Sequence, residues 1–165
     1  MRSRQTAMTD YLTPLTRPAL EQLSIPAPWA YGIRDRVRFY ELDALNHVNN
    51  TAYLRWFETL RIPYVRDYGL SDYGPGDPQL VLMSNSARYL APMFLGDDYV
   101  VTGRTAGFRN SAFRMEYAVF RGDEMTCAGE AVVVVLSPDG SEKCPIPDAV
   151  RARFLERDGA VDETA

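Results

Sequence analysis

Asp43, His47, Asn49 and Asn50 fall together in the run D-A-L-N-H-V-N-N, which places a carboxylate, an imidazole and amide side chains in one short polar stretch. A carboxylate can attack a carbonyl carbon or take a proton from water. Asn is a favoured residue at a helix start, where the first backbone N–H groups have no intrahelical partner and carry partial positive charge. A carboxylate beside a row of free donors is suited to attack on a carbonyl. From these residues alone Asp43 has two readings, the attacking group or a turn residue that bonds its own backbone two positions on. Ser84, Ser86, Cys127 and Cys144 have no histidine at a recognisable partner spacing, so a Ser or Cys triad is not indicated.

The elements that hold this run can be read on either side of it. Val37 and Phe39 alternate with Arg36 and Arg38, the period of a strand with one buried face, and the spacing predicts a strand ending near Leu42. After Asn50, the residues Tyr53, Trp56, Phe57, Leu60 and Tyr64 fall at i, i+3, i+4, i+7 and i+11, one apolar stripe of a long helix. Pro63 lies inside that helix and is expected to kink it, and Gly69 is a natural stop.

Downstream, four runs read as strands: Gln79 to Tyr89, Tyr99 to Phe108, Ala112 to Phe120 and Met125 to Leu136. Their short separators imply antiparallel neighbours, since a parallel crossover needs a dozen residues or more. Val132 to Leu136 is apolar throughout, as expected of a strand covered on both faces. A short amphipathic helix is expected from Pro147 to about Glu156.

The chain of 165 residues is read as one domain over 31–157, preceded by an extended arm, 1–30, and followed by a frayed tail, 158–165. The order of strand, long helix and four antiparallel strands predicts an α+β hotdog fold, with a five-stranded antiparallel sheet wrapped around one central helix. A net charge of −4 speaks against nucleic acid as a principal ligand. Two cysteines without a CxxC or Cys/His cluster give no disulfide framework and no metal site. No apolar run approaches membrane-spanning length and no signal-peptide core follows Arg2 and Arg4, so a cytoplasmic location is expected.

Through Asp43, His47-Val48-Asn49-Asn50 and Tyr53, the chain resembles the 4-hydroxybenzoyl-CoA thioesterase family, in its branch with D-x-x-x-H-V-N-N-x-x-Y that cleaves fatty acyl-CoA. The resemblance covers roughly residues 35 to 150. It implies a sheet curled around the helix, a homodimer or dimer of dimers with active sites at the subunit boundary, and an acyl-CoA substrate with no separate cofactor. The carboxylate matching Asp43 is then the catalytic group, as nucleophile or general base, and a backbone N–H near Asn50 polarises the thioester carbonyl.

With the resemblance, the catalytic set is Asp43, His47, Asn49 and Asn50. His47 is read first as holding the turn, or orienting Asp43 or a water, and second as transferring a proton. Asn49 and Asn50 are read first as helix caps, and Asn49 second as positioning water or the thioester. Glu58 is a second carboxylate on the helix, where another branch of the superfamily places its catalytic glutamate; flanked by Arg55 and Arg61 at i±3, it is expected to be ion-paired. Tyr53 is a candidate substrate contact, and Arg88, Arg104, Arg109 and Arg114 are candidates for the coenzyme A phosphates.

Three alternatives stay open: hydrolysis of acyl groups from acyl carrier protein, hydration or dehydration of enoyl thioesters, and a non-catalytic acyl-binding module. The hotdog hydratases place histidine five residues after aspartate, whereas His47 follows Asp43 by four.

Overall fold

An Asn at residue 49 and an apolar stripe behind it produce one 18-residue helix, α2, over Asn50–Asp67. The Asn49 side chain accepts a hydrogen bond from the Thr51 N–H, satisfying one of the donors that a helix start leaves over. Ala52, Tyr53, Trp56, Phe57, Leu60, Tyr64 and Val65 form its buried face, and the helix runs through Pro63 to end before Gly69, whose φ of 79° turns the chain away. The computed structural model describes residues 10–165.

Around α2 curls a sheet of β1 (Leu15–Thr16), β2 (Tyr31–Arg36), β3 (Gln79–Tyr89), β4 (Asp98–Phe108), β5 (Ala112–Arg121), β6 (Glu124–Leu136) and β7 (Val161–Asp162). The strand order is β1-β2-β4-β5-β6-β3, with β7 added to β4. The expected hotdog arrangement is therefore present, but with seven strands among the described residues instead of five. Both extra strands are two residues long, too short to leave a period in the sequence, and β7 pairs parallel to β4, so the sheet is not wholly antiparallel. The helix lies close against the sheet because two glycines face it: a Cβ at Gly129 would overlap the Phe57 ring, and one at Gly103 would overlap Leu60.

Several boundaries differ from expectation. The first long strand ends at Arg36, and Phe39–Glu41 forms a single 3-10 turn with Phe39 78% exposed, because the Glu41 carboxylate folds back to accept the Arg38 N–H. Within the apolar run 132–136 of β6 only Val133 and Val135 are buried, while Val132 and Val134 are half-buried on the outer face, so the helix covers one side of that strand and not both.

Within the arm, residues 1–9 lie outside the described residues. The remainder is not simply extended: it forms β1 and a short helix, α1 (Arg17–Gln22), and lays Leu15, Leu20, Ile25 and Trp29 on Val100, Ala118 and Phe120 of the outer sheet face. Nor does the tail fray. A helix α3 (Asp148–Asp158) ends on Asp158, which is 2% exposed and accepts hydrogen bonds from the Tyr64 and Tyr68 hydroxyls and from the Thr105 N–H at 2.8 Å. Burial pushes the Asp158 carboxyl above its ordinary range, against the pull of those three donors. Among the described residues no helix is long and apolar enough to cross a membrane.

Candidate active site

The polar run between β2 and α2 closes as a tight loop. Leu42 bridges to Val48, the Asp43 N–H donates to the His47 carbonyl at 2.8 Å, and Asn46 takes the left-handed conformation at φ 61° that Asn tolerates. The loop is fastened at both ends: the Asn49 N–H donates to the Glu41 carbonyl at 2.7 Å, and the Val48 N–H to the Met93 carbonyl at 2.9 Å.

This geometry pins one oxygen of the Asp43 carboxylate and leaves the other open. Oδ1 accepts the Leu45 N–H at 2.9 Å and the His47 N–H at 3.2 Å, while Oδ2 has no hydrogen-bond partner among the described residues. Asp43 is thus a turn residue through Oδ1, with Oδ2 left over. Seven residues on, the Asn50 N–H begins α2 and finds no acceptor among the described residues. An unpartnered N–H at the positive end of an 18-residue helix is a ready anion site.

The neighbouring candidates divide. Asn49 spends its side-chain oxygen on Thr51, accepting both its N–H at 2.9 Å and its hydroxyl at 3.0 Å, so it is a helix cap. His47 is half-buried with its ring edge-on to Phe94 at 5.2 Å, and it steadies Asp43 through its backbone N–H. Tyr53 is 3% exposed and packs against Trp56 and Tyr89, so it belongs to the core and offers almost no surface to a ligand. Burial pushes the Cys127 thiol up to about 12, which keeps it from acting as a nucleophile.

Glu58 corrects an expectation: it is exposed, and no ion pair joins it to Arg55 or Arg61 among the described residues. Arg61 instead turns inward and donates to the Tyr117 hydroxyl at 2.9 Å. The four candidate phosphate arginines do not converge. Arg104 pairs with Glu116 at 2.8 Å and donates to the Asp158 carbonyl, and Arg114 pairs with Glu163 at 3.1 Å. Arg109 is exposed in the β4–β5 turn. Arg88 is exposed on β3, one residue before Tyr89, whose hydroxyl donates to the Asn50 carbonyl at 3.0 Å; by strand alternation its side chain lies on the opposite, outer face of the sheet, in a groove with Trp29, Glu116 and Glu130.

Two residues tie the site together that periodicity did not single out. Glu41, 8% exposed, accepts the Trp56 indole N–H at 2.8 Å and the Arg38 N–H at 2.9 Å, binding the loop to the helix. Tyr89 does the same from β3. The only sequence signal for Glu41 is an acid two residues from Asp43 at the end of an alternating strand. Glu41→Ala strands the buried Trp56 indole N–H and the part-buried Arg38 N–H, so it should cost roughly 1–3 kcal/mol for the buried donor and less for the other; urea denaturation measures it.

The family model of the thioesterase-like superfamily matches residues 37–154, the span from the end of β2 into α3. A thioesterase-superfamily crystal structure from Jannaschia sp. CCS1 is 52% identical with a TM-score of 0.90, covering 96% of this chain and all of that one. A Thermus thermophilus thioesterase complexed with coenzyme A and Zn is 35% identical with a TM-score of 0.68, over 78% of this chain and 93% of that one. A chloroplastic acyl-acyl carrier protein thioesterase of Arabidopsis thaliana is 25% identical over 76% of this chain and 70% of its own length. With the match spanning the Asp43 loop, α2 and the whole of β3 to β6, the chain belongs to the thioesterase-like superfamily.

Proposed function

We propose that the protein hydrolyses acyl-coenzyme A thioesters at Asp43. The observation that carries this reading is the split carboxylate: one oxygen held by two N–H groups, the other unpartnered, in the loop that delivers the bare Asn50 N–H. The thioester carbonyl would accept the Asn50 N–H, which stabilises the negative charge that grows on its oxygen as the carbon becomes tetrahedral. Oδ2 of Asp43 then either attacks that carbon, giving an anhydride that water opens, or takes a proton from the attacking water. Coenzyme A leaves as the thiolate in both cases. Asn49, its oxygen committed to the cap, has its NH2 left to hold water. No metal or organic cofactor enters these steps.

Of the four candidate arginines, Arg88 and Arg109 are exposed without an ion pair among the described residues, whereas Arg104 and Arg114 already face carboxylates, and Arg88 is the one we propose for a coenzyme A phosphate. Arg88→Gln should weaken coenzyme A binding several-fold and flatten its dependence on salt, with Arg104→Gln and Arg114→Gln leaving both unchanged; isothermal titration across salt concentrations reads this.

Assembly is part of the same proposal. Among the described residues β3 pairs only with β6, which leaves its other edge open over eleven residues, and Met83 is 70%, Tyr89 47% and Leu90 48% exposed beside it. A second copy pairing there would cover the edge and close the Asp43 loop from the side of β3.

The carrier relative favours one second reading, in which the acyl group arrives on acyl carrier protein. The net charge of −4 opposes docking of an acidic carrier. Hydrolysis rates over acyl-CoA thioesters of graded length, an aryl-CoA, and the same acyl groups on carrier protein test the proposal. Turnover of the coenzyme A esters supports it; hydrolysis confined to carrier substrates, or none at all, refutes it.

A further inference from the structure

A guanidinium buried without a carboxylate is an expensive arrangement, because taking the charge out of water is repaid only by an opposite charge or a full set of hydrogen bonds. Arg61 is 7% exposed, and among the described residues its side chain makes one hydrogen bond, from Nη1 to the neutral Tyr117 hydroxyl at 2.9 Å. No salt bridge reaches it among the described residues. Every fully buried side-chain nitrogen or oxygen among those residues has a partner, so the remaining Arg61 nitrogens must face open space. That space is a groove of about 590 Å³ between α2 and β3, walled by Ile62, Leu80, Leu82 and Val133, with Tyr73 and Glu58 as its other polar members.

An apolar groove with one buried planar cation has a definite complement: an apolar body carrying a single carboxylate that the guanidinium can grip with two N–H groups. The coenzyme A phosphates fit it poorly, since they carry several charges and remain hydrated. Glu58 is exposed at the groove mouth and unpaired among the described residues, so water and salt screen its repulsion of an incoming carboxylate. We infer that this groove binds the acyl part of the substrate and that Arg61 selects acyl groups bearing a carboxylate away from the thioester. The inference rests on the proposed thioesterase reading. Arg61 lies eleven residues beyond Asn50, about 16 Å along the helix at 1.5 Å per residue, so the preferred chain length reports how far the carboxylate stands from the attacked carbonyl.

The test compares matched pairs of coenzyme A thioesters, straight-chain acyl and ω-carboxyacyl of equal carbon number, in the wild type, Arg61→Met and Arg61→Lys. Calorimetric titration with the free α,ω-dicarboxylic acids gives a second readout that needs no turnover. In the wild type the ratio of kcat/KM should favour the carboxylated member at one or more lengths. Arg61→Met should cut that ratio roughly 30-fold or more, the usual effect of removing one partner of a buried hydrogen-bonded charge pair. Arg61→Lys, which keeps the charge without the fork, should fall between. A wild-type ratio at or below one at every length, or a ratio untouched by Arg61→Met, overturns the inference. So does Arg61→Met dissociating an oligomer without changing the ratio, since the cation then serves a second copy's carboxylate. If no thioester is hydrolysed, the thioesterase reading fails, while dicarboxylate binding lost in Arg61→Met still supports the site. Should Arg61→Met not fold, Arg61→Lys and wild-type dicarboxylate binding decide the matter.

Discussion

Asp43→Asn should lower the rate of acyl-CoA hydrolysis by roughly 10² to 10⁴, the usual worth of a positioned acid or base, without loss of the fold. The amide oxygen of Asn can take over both structural bonds of Oδ1, from the Leu45 and His47 N–H groups, so the loop keeps its shape. What Asn cannot supply is the second, negatively charged oxygen. An Asp43 whose whole purpose was the turn would give the opposite result, a near-normal rate. Steady-state rates with circular dichroism and thermal unfolding separate the two, and His47→Ala should cost less, because its hold on Asp43 is through a backbone group that alanine retains.

A comparable loss should follow from isolating the subunit. Met83 and Asn85 are both exposed on β3, and lysines there place repelling charges along the open edge, which is how natural sheets avoid edge pairing. Met83→Lys with Asn85→Lys should give a folded monomer in sedimentation and reduce hydrolysis by roughly 10²-fold, the effect of misplacing reacting groups by about an ångström. A wild type that sediments as a monomer at full activity contradicts this, as does a variant monomer that turns over normally.

The features that could be read from sequence are those carried by local chemistry. The Asn49 cap, the helix stripe and the four long strands depend on nearest neighbours along one chain segment, and they stand within a residue or two of where periodicity places them. The strand before the loop was harder. Its residues Arg34 and Asp35 are charged, and their partners Asp98 and Arg38 come from another strand and the following turn, so the alternation is hidden over Tyr31–Arg36 while the apparent alternation at Val37 and Phe39 belongs to the turn. The packing of the arm was not legible at all, because Leu15, Leu20, Ile25 and Trp29 follow no period and meet residues of β4 and β5 far along the chain.

The site divides along the same line. Asp43 and the bare helix start are local and could be read; Glu41 could not, since its value lies in reaching Trp56 across fifteen residues. Local reasoning misjudged Arg61, for which a Glu at i−3 was the obvious partner. Tyr117, fifty-six residues away, draws it inward instead. Likewise Arg104 stands directly across from Glu116, a neighbour that only the β4–β5 register reveals.

The most direct test of Asp43 as the reacting carboxylate is a single-turnover measurement, with enzyme in excess over an acyl-CoA, on the wild type, Asp43→Asn and Glu58→Gln. Excess enzyme exposes the chemical step that slow product release can hide in steady state. The expected order is a large loss for Asp43→Asn with the thioester still bound, and little change for Glu58→Gln. A Glu58→Gln enzyme that binds acyl-CoA without cleaving it, beside an Asp43→Asn enzyme that cleaves at the wild-type rate, would place the chemistry on α2 and contradict the assignment.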